Sequence, residues 1–371
     1  MKIYADYAAS TPLSDRVYET LCRTSRDVFG NPSSAHSCGR DAAAVVERAR
    51  EQTAALLGCD PEEVFFTSGG TEADNQAIHA AAGQPILTSA IEHPAVRNAV
   101  QSMASQVHLL EPLANGAVSA EGIARILKNT PGIALVSLMY ANNETGVIQP
   151  VREAAEAAHA AGALFHCDAV QGGGHRMPDV RELGCDLLSV SGHKFHAPKG
   201  IGALYVRRTI ADRLPAFHYG GGQERGLRSG TLPVPLIAAF GEACAEALEC
   251  REEDDRRVRT LCDRMADELL TIPDSRRIGS GEQMPGILNL AFAETYGENL
   301  MLLCDLQGLC LSTGSACHAG DDTPSHVLSA MGVPDEYLTS SVRISIGRYT
   351  TEEEAERITA IVRRCVALAR G

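Results

Sequence analysis

The chain has 371 residues, 44% of them hydrophobic and 22% charged, with a formal net charge of −14 at pH 7. That length admits two domains, or one large α/β domain with an appendage, and the apolar fraction suffices for a full core. The acidic balance, with no basic stripe along the chain, excludes direct binding of nucleic acid.

The 12 cysteines are scattered without a C-x-x-C pair. Neither a zinc ribbon nor a thioredoxin-type redox pair is therefore readable, and no metal site is expected. The opening MKIYADYAAS lacks the apolar core of a secretion signal. No stretch reads as a membrane span, and unpaired cysteines suit a reducing compartment, so the expectation is a cytoplasmic protein with no membrane partner.

In chain order, residues 4–12 read as a short extended segment running into a turn, and a helix follows to about Val28. Residues 30–34 (GNPSS) form a loop, in which Asn31 suits an Asx-turn. Helical spacing over 40–57 stops at Gly58. A strand at 63–67 then runs into Ser68-Gly69-Gly70-Thr71 and an alanine-rich helix, with Thr71 and Asp74 at capping-box spacing. Strand, glycine turn and helix start would present free backbone N–H groups to a phosphate; the same stretch also reads as a plain helix cap.

Alternation continues with strands at 85–89, 106–111, 133–139 and 163–168, and helices at 93–104, 119–129 and 151–161. Repeated βα units imply a mostly parallel sheet with helices on both faces. The carboxyl ends of such strands share one rim. Glu92 and His93, Asn142 to Glu144, Asp168 with Gln171, and Ser191 to Lys194 can converge there. The apolar run 186–190 ends in Ser191-Gly192-His193-Lys194, and a second β-like run spans 201–206. A lysine just past a buried strand, flanked by Ser, His and Gly, suits condensation with an aldehyde cofactor; taken alone, the stretch reads better as a surface lysine in a turn.

Residues 220–231 (GGGQERGLRSGT) form a glycine-rich loop. A helical pattern over 236–271 changes from apolar to strongly charged at Arg251, as a helix leaving one domain and entering another would. Segments at 287–292, 297–307, 309–311 and 342–346, closed by a helix at 352–369, give a smaller mixed α/β unit. The expected division is a large domain over 13–250 and a small one built from 1–12 and 251–371.

Ten stretches in order, ADYAASTP, FGNPSS, FTSGGTEADN, EHPAV, NNETG, CDAVQ, SGHK, GGGQERGLRSGTLP, TGSAC and VRISIGR, resemble the cysteine desulfurases, pyridoxal-phosphate enzymes of the class V aminotransferase group. The resemblance covers nearly the whole chain. It implies an α/β chain of the type I pyridoxal-phosphate transferase fold, with a mainly parallel seven-stranded sheet in its large domain. Lys194 then resembles the lysine that binds the cofactor's aldehyde and later moves protons. Asp168 resembles the partner of the pyridine nitrogen, Gln171 and Asn143 the contacts near the ring oxygen, and His93 the imidazole on the ring face. Gly70, Thr71, Ser191 and His193 match the phosphate cradle, and Thr231 a phosphate contact from the neighbouring subunit of a homodimer. Asn31 and Arg343 correspond to the pair holding the substrate carboxylate, and Cys317 to the sulfur-accepting nucleophile.

The implied reaction takes L-cysteine to L-alanine, with a persulfide on Cys317 for a sulfur-acceptor protein of unknown identity. Two departures bear on this. His318 follows the cysteine where a small hydroxyl residue is usual, and a histidine there is similar to the selenocysteine lyases, which keeps selenocysteine open as substrate. The chain ends at Gly371, soon after its last helix, whereas members that feed iron–sulfur scaffolds carry a docking extension. The acceptor therefore stays open among an iron–sulfur scaffold, a tRNA-thiolation protein and a DNA-modifying partner, in an iron–sulfur or thio-modification pathway. A non-catalytic sulfur carrier on the same fold is the remaining alternative.

Overall fold

The computed structural model describes residues 2–175, 177–313 and 324–371. Its strands are β1 (Ile3–Tyr4), β2 (Val64–Thr67), β3 (Pro85–Ser89), β4 (Gln106–Leu110), β5 (Leu135–Met139), β6 (Leu164–Asp168), β7 (Leu187–Ser191), β8 (Gly202–Val206), β9 (Ser275–Arg277), β10 (Ile287–Phe292), β11 (Leu309–Cys310) and β12 (Ser341–Ser345). A seven-stranded sheet has the order β2-β8-β7-β6-β5-β3-β4. Strands β4, β3, β5, β6 and β7 pair in parallel, and β8 lies antiparallel to both β7 and β2. Strands β2, β5, β7 and β8 are buried at every position. Such runs are what a sheet covered by helices on both faces demands.

The expected α/β architecture is therefore present, and the strand ends fall where the sequence places them. Strand order turns back at β3, which lies between β4 and β5. A crevice forms at such a reversal, outside the carboxyl ends of the strands. One local expectation fails. The helix after β2 runs Gly70–His79 with Gly69 as its N-cap and no side-chain cap, so Thr71 and Asp74 make no capping box. Both lie inside the helix, and Asp74 is turned into the protein, 1% exposed.

Buried apolar residues gather mainly in two clusters. One fills the space around the seven-stranded sheet. The other packs the antiparallel sheet β12-β10-β9 and the β1-β11 pair against the helices Gly297–Leu306 and Glu352–Arg370. The 36-residue helix Val234–Leu269 serves both: Val234 to Ala247 enter the first cluster and Val258 to Leu269 the second. The charged stretch between them is where the sequence pattern changes. Among the described residues, no helix is long and apolar enough to cross a membrane.

The glycine-rich loop 220–231 is anchored to the sheet by a buried ion pair. Glu224 accepts from Arg50 Nη2 at 2.8 Å, Arg50 Nη1 at 2.9 Å and the Phe66 N–H at 2.7 Å. The two side chains are 5% and 1% exposed. Removing one partner strands the other charge in a dry site. Glu224→Ala should therefore lower stability by about 3–5 kcal/mol, read as a lower urea midpoint at unchanged slope.

Candidate active site

The carboxyl ends of β3, β5, β6 and β7 open into a cavity of about 260 Å³. Gly70, Thr71, His93, Asn143, Asp168, Gln171, Ser191, His193, Lys194 and Arg343 all line it. Asn31 stands apart in an exposed turn, its Oδ1 accepting the Ser33 N–H at 3.0 Å. Thr231 is exposed on its loop and does not line the cavity. Cys317 and His318 lie outside the described residues.

Lys194 is delivered by a single 3-10 turn, Gly192–Lys194, directly after β7. The turn needs glycine at its start, because a Cβ on Gly192 would lie 2.9 Å from Ala197 Cβ and 3.0 Å from Phe240 Cδ2. Lys194 Nζ donates to the carbonyl oxygens of Ala8 at 2.5 Å and Ala9 at 3.1 Å. Gln171 Nε2 also donates to Ala8 O, at 3.1 Å. Thr11 Oγ1 donates to His193 O at 2.9 Å, which lays the N-terminal segment across the lysine turn. Sequence reasoning assigned that segment no role in the site; its only signal was membership of the ADYAASTP stretch.

Asp168 ends β6 and is 6% exposed, its Oδ1 accepting the Val170 N–H at 3.0 Å. Burial pushes its carboxyl up from the ordinary range, while His93 and Lys194 pull it back. His93 caps the helix Pro94–Met103, its Nδ1 accepting the Ala95 N–H at 3.1 Å. That bond places the ring proton on Nε2 in the neutral form. Burial holds the imidazole pKa down, with Asp168 opposing and Lys194 adding to the shift. His193 is held lower still, to about 4, by burial and by the charges of Lys194 and Lys199.

Helix Gly70–His79 starts at the cavity wall without a side-chain cap, so its first N–H groups remain for an anion. A Cβ on Gly70 would stand 2.6 Å from Val170 Cγ2 and 3.4 Å from Ser191 Cβ. Gly70→Ala is therefore expected to overpack this corner and lower stability by about 1–3 kcal/mol, measured by the denaturation midpoint.

Arg343, on β12, is 1% exposed. Its Nη1 donates to Asn143 O and its Nη2 to Asp6 Oδ1, each at 2.8 Å. Nε has no hydrogen-bond partner among the described residues. Asp6, the acidic partner of this guanidinium, was not singled out in the sequence. Glu144, one of the strand-end residues expected at this rim, lines the cavity, and so does His326, which was not foreseen. Glu144 accepts from Ser325 Oγ at 2.6 Å, and His326 Nε2 meets Glu92 O at 3.1 Å.

An amine, a buried carboxylate, a neutral imidazole and an uncapped helix start thus share one cavity. The donor set fits a phosphorylated aldehyde with a basic ring nitrogen: an amine to condense, an acid to pair with the ring, and a cradle where a Cβ would collide.

A family model described as Aminotransferase class-V matches residues 3–358. The cysteine desulfurase IscS of Serratia proteamaculans is 42% identical over 383 aligned positions, which cover 100% of this chain and 94% of that protein. Among solved structures, the NifS-like protein of Rickettsia africae superposes with a TM-score of 0.92 at 31% identity, covering 99% of this chain and 100% of that one. The structure of SspA in complex with cysteine gives 0.82 at 34% identity, covering 95% of this chain and 100% of the other. Motif order, sheet topology, cavity and full-length similarity agree, and the chain belongs to the class-V aminotransferase family, within its cysteine desulfurases.

Proposed function

We propose that this chain is a pyridoxal-phosphate-dependent enzyme that converts L-cysteine to L-alanine and leaves the sulfur as a persulfide on Cys317, for delivery to an acceptor protein. It works as a homodimer, each subunit divided into a large unit (13–250) and a small one (1–12 and 251–371). The observation that carries this reading is the convergence of Lys194, Asp168, His93 and the Gly70–Thr71 helix start on one cavity. When bound, pyridoxal phosphate supplies an electron sink conjugated with the substrate's Cα.

Lys194 would hold its aldehyde, Asp168 its ring nitrogen, Gln171 and Asn143 its ring oxygen, and His93 its face. Gly70, Thr71, Ser191 and His193 would hold the phosphate, joined by Thr231 from the second subunit. Arg343 orients the substrate carboxylate as a fork whose charge and planarity suit it. The Lys194 amine takes the proton from the substrate Cα and later returns one, with Ala8 O and Ala9 O holding the ammonium between transfers. The Cys317 thiolate then attacks the cysteine sulfur. A new S–S bond forms and the Cβ–S bond breaks; its electron pair passes to the carbon skeleton, which takes up a proton to become alanine. The net change is cysteine plus enzyme thiol to alanine plus enzyme persulfide, with no outside oxidant or reductant.

The test is stoichiometric. Purified protein loaded with pyridoxal phosphate and given L-cysteine without reductant should release one alanine per persulfide formed at Cys317. Alanine formed with no sulfur on Cys317 would overturn the assignment.

A further inference from the structure

Two carboxyl groups, Asp168 and Asp74, line the cavity, and a third, Glu92, is buried behind them within electrostatic reach of both. Asp168 comes from the end of β6, Asp74 from the helix Gly70–His79, and Glu92 from the turn after β3. They are 6%, 1% and 0% exposed. Asp168 faces two basic groups, His93 and Lys194. Asp74 instead has His166, whose Nε2 lies 3.6 Å from Asp74 Oδ1. Both nitrogens of that imidazole are engaged by hydroxyls, Nδ1 with Ser137 Oγ at 2.8 Å and Nε2 with Ser189 Oγ at 3.0 Å. Burial pushes His166 down to about 3, so it carries no charge to offset an anion.

Among the described residues, Glu92 meets only neutral donors: its Oε1 accepts from Ser89 Oγ at 2.5 Å and from the Met139 N–H at 3.2 Å. Among the described residues, Asp74 Oδ1 and Glu92 Oε2 have no hydrogen-bond partner.

Three anions cannot share such a place. An isolated buried carboxylate forfeits its hydration, and each like charge nearby adds repulsion that water no longer screens. Two basic groups, His93 and Lys194, act on Asp168. We propose that Asp74 and Glu92 are positioning residues that stand as neutral acids behind Asp168, leaving it the single anion of the three. The inference rests on the reading of Asp168 as partner of the cofactor's ring nitrogen, and it names what allows that partner to stay charged. Were either neighbour ionised, Asp168 would take up the proton instead, because coupled acids share their titration. The direction of each shift agrees. Burial, with repulsion from Asp168, drives Asp74 well above the carboxylate range, and burial raises Glu92 to about 8.

Infrared spectroscopy of the purified protein reads this directly. Carboxylic-acid C=O stretches stand clear of carboxylate bands. At pH 7 the wild type should show buried-acid intensity that falls in Asp74→Asn and falls again when Glu92→Gln is added, with or without bound cofactor. A spectrum without acid bands at pH 7, or with bands that both substitutions leave intact, would overturn the proposal. Because the cofactor-free protein gives the same readout, loss of activity with the bands in place would refute the cofactor reading alone.

Stability gives a second measure. A carboxyl whose folded pKa is raised gives stability that is full below its unfolded pKa, near 4.5, and is lost as pH rises through about 8. The wild type should therefore lose thermal midpoint relative to Glu92→Gln over that window, and parallel curves would contradict the neutral acid. Should a variant fail to fold, the wild-type spectrum at pH 7 decides alone.

Discussion

Lys194→Ala is expected to cut desulfuration of L-cysteine by about 10²–10⁴-fold, the range for loss of a positioned proton-transfer group. The cavity explains why no neighbour substitutes. The other basic side chains lining it are His93, His193, His326 and Arg343. His93 is occupied by the Ala95 N–H at its Nδ1, and His193 is held near 4, so neither matches a lysine amine as base. Arg343 is committed to Asp6 and Asn143 and does not deprotonate. His326 already meets Glu92 O through Nε2. The substitution also removes the covalent anchor for the cofactor, so borohydride should no longer fix pyridoxal phosphate to the peptide containing residue 194. An added primary amine should restore part of the activity. Retention of more than a tenth of wild-type turnover, or borohydride labelling of Lys199 in the wild type, would contradict the role given to Lys194.

The strand-end residues were legible in the sequence for a physical reason. In a βα chain the period of apolar runs locates the strands, and right-handed crossovers send all their carboxyl ends to one rim. Polar residues just past those runs, such as His93, Asp168 and Lys194, could then be brought together without knowing their distances. What escaped lacks such a signal. Ala8 and Ala9 act through backbone carbonyls, which every residue carries, so nothing in their side chains marks them. Asp6 and Arg343 are 337 positions apart, and the pairing of β1 with β11, together with the Asp6–Ser345 and Ser312–Arg343 bridges, brings them together.

Asp74 shows a local rule losing to a tertiary one. Its spacing from Thr71 suits a cap, but the helix starts two residues earlier, at Gly70, where that residue approaches Val170 and Ser191 closely, and Asp74 is turned inward. Strand β8 is a milder case. Ten residues separate Ser191 from Gly202, with a single 3-10 turn and no crossover helix between them, so the chain returns antiparallel.

Cys317→Ser should bring persulfide and alanine formation from L-cysteine to background, a fall of about 10⁴-fold or more for a residue that makes the new bond itself. The other cysteines offer no replacement at the cavity. Of the described ones, Cys167, Cys185, Cys244, Cys262, Cys304 and Cys365 are buried, and none of the described cysteines lines the cavity. Burial pushes Cys244 and Cys262 up to about 12, where almost no thiolate exists at neutral pH. Cofactor loading and borohydride trapping at Lys194 should be unchanged in the serine variant, since both precede the attack on sulfur. Proton exchange at the substrate Cα should also persist, because it depends on Lys194 and the cavity floor rather than on the thiol. That pair of readouts separates two failures: lost exchange together with lost persulfide would mean the substitution had damaged the cavity, whereas full desulfuration by the serine variant would place the sulfur-accepting group elsewhere. His318 enters through pH. A free thiol titrates near ~8.5, so a neighbouring imidazole that promotes ionisation should extend activity to lower pH. His318→Ala should then move the limb of the rate profile governed by the thiol upward in pH while leaving cofactor binding alone, and an unmoved limb would assign the ionisation of Cys317 to other groups.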